Sequence, residues 1–370
     1  MKIERVDLIL IGMSLVSPFE TSNARYSQLE KLILKVYIPD ATAYSECVAG
    51  KLPLYSPETI STSKDILKNN ILPLLKGKDI AGPNEYLKVV APIKGHPMAK
   101  AAMENALWIL QAIKDGESLA IKIGGGGKKR IASGVSIGIQ EHTEELIEII
   151  DSYLDKGYQR IKIKIKPGND ICVLEEVRKH FPHISLMVDA NNAYSLLDIA
   201  ILKAMDSYEL LMIEQPLAYD DLVDHASLRA QIKTPICLDE SIASHSLARA
   251  AVALNACQII NIKQGRVGGL LQAKKVYDIA VRFNKGIWCG GMLETGIGRA
   301  VNLAFASLQD FNYPSDISAS ARYWERDIVD TEFMLNADGT IDVPTGPGLG
   351  VEINEKILNR FVLGRETILL

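Results

Sequence analysis

The sequence predicts an α/β protein, a parallel barrel of seven or eight βα units joined to a smaller α+β domain. Three observations point there. The first is a set of short apolar runs that each end in a charged residue: "RIKIK" at Lys164, "ISLMVD" at Asp189, "LLMIE" at Glu214, "PICLD" at Asp239 and "CQIINIK" at Lys263. The second is their spacing, with successive intervals of 25, 25, 25 and 24 residues, the length that a strand, a loop, a helix and a return loop need. The third is what lies between them: "DICVLEEVRKHF", "LLDIAILKAMDSY" and "SHSLARAAVALN" carry apolar residues three and four apart, the helical period. Short β-rich runs alternating with helices make a parallel sheet covered on both faces.

Residues 1–125 read as the α+β domain. Alternation in 2–10 and in "KLILKVYI" (31–38) predicts antiparallel strands in a hairpin, and helices follow at 57–75 and 97–114. "GGGGKKR" (124–130) places four glycines before a basic triplet. The phosphate-loop pattern G-x-x-x-x-G-K-[ST] is not met, so a flexible crossing between domains is the better reading. Strands are expected near 131–139, 159–165, 185–189, 210–214, 235–239, 257–263 and 286–290, with a weaker one near 315–318; seven or eight parallel βα units fit a barrel better than an open sheet, and spacing alone also allows a doubly wound fold. The barrel domain spans 126–325 on this basis, and the turn-rich 326–370 returns to the first domain.

"RIKIKIKPG" (160–168) sharpens the prediction. Its lysines share one face and its isoleucines the other, which in an isolated stretch describes a solvated antiparallel strand. A parallel barrel strand has no solvent side. Lys162 and Lys164 must therefore face a buried or ligand-lined space.

Composition narrows the function classes. The chain has 370 residues, 48% hydrophobic and 23% charged, with formal net charge −4, an ordinary globular composition. Without a basic block, neither nucleic acid nor an anionic membrane is an expected partner. No apolar run reaches the roughly 18 residues of a membrane span, and the N-terminus lacks a signal-peptide core. The five cysteines are scattered without a CxxC pair, which argues against zinc and against a disulfide framework. The six histidines form no HxH or HExxH pair and read as surface or helix-end residues. A cytoplasmic enzyme, homo-oligomeric and acting on a small molecule, is the expectation.

Barrels carry functional residues at the carboxyl ends of their strands, where Asp189, Glu214, Asp239 and Lys263 fall. Adjacent strands lie under about 5 Å apart, so three acids ending three successive strands crowd together and need a cation. Any one acid alone would more commonly cap a helix or pair with Arg or Lys; three at equal spacing rarely do. An all-oxygen site suits Mg²⁺, with Mn²⁺ as the alternative, and lacks the nitrogen or sulfur zinc prefers. Lys164 and Lys263 would flank this metal from opposite sides of the barrel mouth. Burial and nearby cations, Arg266 among them, are expected to lower their pKa toward that of a base. A metal holding a carboxylate between two lysines suits removal of the proton α to that carboxylate.

These residues resemble the enolase superfamily, for which such metal-assisted proton abstraction is known, in the branch with lysines on both sides of the site. More closely the chain resembles the o-succinylbenzoate synthase / N-succinylamino-acid racemase family. The likeness rests on "SPFETS" (17–22), "ECVAGKLPLYSPET" (46–59), "GVSIGI" (134–139), "DANNAY" (189–194), "IEQPL" (213–217), "LDES" (238–241), "NIKQGRVGG" (261–269), "GGMLETGIGRA" (290–300) and "SDISASARYW" (315–324). It implies a (β/α)7β modified TIM barrel with an α+β N-terminal capping domain completed by the C-terminal segment. It implies Lys164 and Lys263 as the acid/base pair, with Asp189, Glu214 and Asp239 as metal ligands. Phe19, Ser136, Lys162, Asn191, Gly291, Met292 and Leu293 fall where the family lines its substrate pocket. "NARYSQLEKLIL" and "DATAYSEC" depart from the family's usual glycine and acid-rich strand, which loosens inference about the succinyl end of the substrate.

The resemblance implies a dehydratase forming o-succinylbenzoate in menaquinone synthesis, with N-acylamino-acid racemisation as the runner-up. A dipeptide epimerase would be expected to carry D-x-D on the last strand, where this chain has Asp316 followed by Ile317 and Ser318. A mandelate-type enzyme would place histidine at Lys263. A Schiff-base aldolase would need no carboxylate trio, and a non-catalytic binding protein no pair of lysines around a metal.

Overall fold

The structure is a computed structural model that describes residues 1–370. The N-terminal part builds an antiparallel sheet from β1 (Arg5–Glu20), β2 (Arg25–Ile38) and β3 (Ala41–Cys47). The predicted hairpin is there, with longer strands and a third partner. β-Branched and leucine side chains suit this sheet, and Val6, Leu8, Ile9, Ile11, Leu32, Ile33, Leu34 and Val36 are buried in it. The helix Pro97–Lys114 is apolar nearly all round, with twelve buried residues, as a helix between two packed layers must be. On one side Ser45 of β3 donates to the Ala102 carbonyl at 2.7 Å. On the other, Asn105 donates to Gln264 at 2.8 Å.

β4 (Arg130–Ala132) precedes the barrel strands β5 (Gly134–Ile137), β6 (Arg160–Lys164), β7 (Leu186–Asp189), β8 (Ile213–Glu214), β9 (Ile236–Leu238), β10 (Ile259–Ile262) and β11 (Gly286–Cys289). Those seven run parallel in sequence order, from β5 to β11. The strand expected over 131–139 is thus two strands. β4 turns away to pair with β12 (Thr340–Asp342), and only β5 enters the barrel. The weak run at 315–318 closes the ring. Ser315 exchanges backbone hydrogen bonds with Ala132 and Gly134, and the Asp316 N–H donates to Cys289 at 2.9 Å. β13 (Val362–Leu369) pairs with β1, so the last strand of the chain lies in the same sheet as the first.

Two expectations need correction. The glycine run is a fixed turn and not a flexible crossing. Gly126 N–H donates to Ser307 Oγ at 3.1 Å, and a side chain at Gly125 would strike that hydroxyl. His225 is fully buried rather than at the surface. Its Nε2 accepts from Leu217 N–H at 3.3 Å, and Nδ1 meets the Asp221 carbonyl, one helical turn back. No helix is long and apolar enough to cross a membrane.

Candidate active site

The barrel interior is layered. Met187, Met212, Cys237, Ile259 and Trp288 form a buried apolar plug, a cluster separate from the main core. Charged residues lie beyond it, toward the carboxyl ends of the strands. Strand register decides which of them meet. Lys164, Asp189 and Glu214 are direct neighbours across β6, β7 and β8. Asp239 follows the end of β9, and Lys263 the end of β10. In an eight-place ring, β6 and β10 stand four places apart, so Lys164 and Lys263 rise from opposite walls. The three carboxylates occupy the arc between them.

Each acid is held by a cation. Lys164 Nζ lies 2.6 Å from Asp189 Oδ2 and 2.8 Å from Asn191 Oδ1. Lys162 Nζ lies 2.8 Å from Glu214 and 2.5 Å from Asp316. Lys263 Nζ lies 2.8 Å from Asp239 Oδ2, and Arg266 grips the other oxygen of Asp239. Burial and the neighbouring Asp189 push the Glu214 carboxyl up. Burial works against charge on Asp239 as well, but Lys263 and Arg266 hold it well below the usual range.

Lys263 reverses the expected direction. Burial and Arg266 do work against its charge, but Asp239 and Tyr55 outweigh them and hold it above the ordinary lysine range. Because Arg266 spends its charge on Asp239, it does not act on Lys263 alone. It also donates to the Ile242 carbonyl at 3.0 Å and the Asn261 carbonyl at 2.7 Å, bracing the loop ends on β9 and β10.

A divalent cation fits the chemistry of this donor set. The donors are carboxylate oxygens on successive strands, burial and Asp189 push the Glu214 carboxyl up despite Lys162, and Glu240 Oε2 is buried without a hydrogen-bond partner. No three acids already converge as a finished cage, because each is turned toward its lysine or arginine.

Above the charges lies a cavity of about 540 Å³ between the barrel mouth and the antiparallel sheet, within the usual size for a small-molecule site. Lys164, Lys263 and Asp189 line it, as do Phe19, Ser136, Lys162, Asn191, Gly291, Met292 and Leu293. Glu214 and Asp239 sit beneath its surface, 0% and 1% exposed. The structure therefore gathers all twelve residues singled out from the sequence around one space.

Three residues were missed. Tyr55 reaches in from the 46–59 loop, its hydroxyl 3.3 Å from both Asp239 oxygens, 3.2 Å from Lys263 and 3.0 Å from Arg266. Asp316 receives Arg160 at 2.6 Å and Ser136 at 2.9 Å. Arg160, fully buried against Trp288, was legible: it begins the alternation that places Lys162 and Lys164 on the inner face. Tyr55 and Asp316 carried no periodic signal.

The chain matches the family model described as "Enolase C-terminal domain-like" over residues 145–357. An o-succinylbenzoate synthase of Geobacillus kaustophilus is 46% identical over 360 residues, which span 97% of this chain and 96% of that one. An N-succinylamino acid racemase of Thermus thermophilus is 41% identical, spanning 98% of each. The crystal structure of an enolase superfamily member from Listeria innocua superposes with a TM-score of 0.95 at 42% identity, covering 100% of this chain and 99% of that one. The chain is an enzyme of the enolase superfamily and belongs to the family of the o-succinylbenzoate synthases and N-succinylamino acid racemases.

Proposed function

We propose that the protein dehydrates a hydroxy-cyclohexadiene carboxylate to o-succinylbenzoate, a step of menaquinone synthesis. The observation that carries this reading is the placement of Lys164 and Lys263 four strands apart in an eight-place ring, with three carboxylates on the arc between them. The names of relatives at 40–46% identity support it.

Asp189, Glu214 and Asp239 would hold Mg²⁺ or Mn²⁺. Bound there, the ion would offset the negative charge that gathers on the substrate carboxylate as its α-proton leaves. Lys164 takes that proton and then returns it to the departing hydroxyl on the same face. Lys263 stays protonated on the opposite face and steadies the developing charge, in keeping with the grip of Asp239 and Tyr55 that holds it charged. The apolar plug beneath and the covering sheet above exclude water.

Racemisation of N-succinyl or other N-acylamino acids is the second reading. It is favoured by the same opposition of lysines, since each face then has its own acid/base, and by the 41% identical relative named for that activity. Assay of the purified protein against the cyclohexadiene precursor and a panel of N-succinyl amino acids tests both. Inactivity toward all of them, with Mg²⁺ present, would sink the proposal.

A further inference from the structure

One wall of the cavity is a short irregular segment, Gly290–Glu294, between β11 and the helix Gly296–Ala306. Leu293 holds φ +56° there, a left-handed conformation that leucine rarely adopts. Such a conformation persists only where its surroundings impose it. From the barrel side, the Glu294 carboxylate accepts from Met292 N–H at 2.8 Å and from Asn302 at 2.9 Å. From the covering sheet comes Lys31 of β2, which donates to the Met292 carbonyl at 2.8 Å.

Lys31 is 4% exposed and lines the cavity. Its nearest carboxylate is Glu46 of β3, at 3.7 Å, too far for a hydrogen bond. Glu46 itself accepts from Thr295 N–H at 3.0 Å, Thr295 Oγ1 at 2.7 Å and Gly298 N–H at 3.2 Å. It therefore caps the positive end of the helix that follows the wall. A lysine present only to neutralise Glu46 would have no need to bond the wall. This pair holds it at two points, Lys31 at its middle on Met292 and Glu46 at its far end on Thr295.

We propose that Lys31 and Glu46 form a clamp by which the covering sheet fixes the Gly290–Thr295 wall. Lys31 is then a positioning residue for substrate binding. The clamp follows from the geometry alone; its effect on binding rests on the function proposed above.

Hydrogen exchange on the full-length, unliganded protein tests the clamp whatever the substrate. Lys31→Met keeps an unbranched side chain one atom shorter and removes its charge and donors. Peptides covering 290–298 should exchange roughly tenfold faster, the equivalent of one lost charge-assisted hydrogen bond, while the barrel strands exchange as before. Breaking a buried pair can itself prevent folding, so the charge-neutral Lys31→Met/Glu46→Gln variant is measured in parallel and should show the same local increase. In turnover, Lys31→Met should raise KM roughly five- to tenfold with a smaller change in kcat, and Lys31→Arg should recover most of the loss. Unchanged exchange over 290–298 in the folded variants would overturn the clamp. Normal KM with fast exchange would overturn its role in binding. A wild-type protein inactive on every tested substrate would sink the proposed reaction and leave the exchange result standing.

Discussion

Asp239 is the residue on which the site's geometry turns. One oxygen faces Lys263, the other Arg266, and Tyr55 bridges all three. Asp239→Asn leaves two buried cations without their shared anion, which costs about 3–5 kcal/mol when such a pair is broken. The structure therefore predicts a lower Tm for this variant. Mg²⁺ affinity should fall by more than the roughly 10–100-fold typical of outer-shell changes. Calorimetric titration and a thermal scan check both parts, and wild-type Mg²⁺ affinity would remove Asp239 from the ligand set. Tyr55→Phe deletes one hydroxyl and keeps the ring, so it should leave folding intact and lower kcat/KM by roughly tenfold. Lys164→Ala should abolish both dehydration and racemisation. Solvent deuterium entering the α-position from both enantiomers at wild-type rate would show that another group does its work.

Among the elements, two buried glutamates join the layers by capping helix N-termini. Glu46 caps the helix 296–306. Glu104 of the helix 97–114 accepts from Leu270 N–H at 2.6 Å and Leu271 N–H at 3.0 Å, at the start of the helix Leu270–Arg282. Those donors favour the carboxylate, but burial outweighs them and pushes each acid up to about 7. The sign of the stability effect follows. Between the ordinary glutamate value of 4.5 and about 7 the folded protein keeps a proton that the unfolded chain has lost. Stability from this source is therefore greatest below 4.5, falls as pH rises through that window, and levels off above it. Glu104→Gln cannot titrate. The Tm of wild type relative to Glu104→Gln should accordingly drop between pH 5 and pH 7.5, and a constant difference would show that Glu104 is ionised throughout.

For the whole molecule, charge would link the proposed metal to the proposed substrate. Around the barrel mouth five cations (Arg160, Lys162, Lys164, Lys263, Arg266) meet four carboxylates (Asp189, Glu214, Asp239, Asp316), all largely out of water, while burial and Asp239 push the unpaired Glu240 carboxyl beside them up to about 8. A dication adds two positive charges to a poorly solvated cluster that already holds no excess of negative charge, and a ligand bearing two carboxylates offsets them. Metal and dicarboxylate should therefore bind cooperatively, each tightening the other by the same factor. Titration of Mg²⁺ with and without o-succinylbenzoate measures this, and equal affinities would refute it. Chelation should abolish turnover and Mg²⁺ or Mn²⁺ restore it; full activity in a verified metal-free preparation would contradict the proposed ligand set.

The sequence by itself determined the parallel βα units, the inner face of β6 and the strand ends that carry Asp189, Glu214, Asp239 and Lys263; that the sheet closes into a ring through Ser315 and Asp316 only the fold decided. The first three are local or periodic properties: alternation sets which side chains point inward, and a repeat near 25 residues sets how often a strand returns. Only the tertiary structure decided which cation each acid meets. Tyr55 reaches Asp239 across 184 positions of chain, and Asp316 reaches Arg160 across 156; no period of two or 3.6 encodes such separations. The two outcomes for Lys263 and Arg266 have the same origin. Three residues apart in sequence, they read as two cations repelling one another. In the fold Asp239 stands between them, and at these distances out of water the nearest opposite charge prevails over the nearest like one.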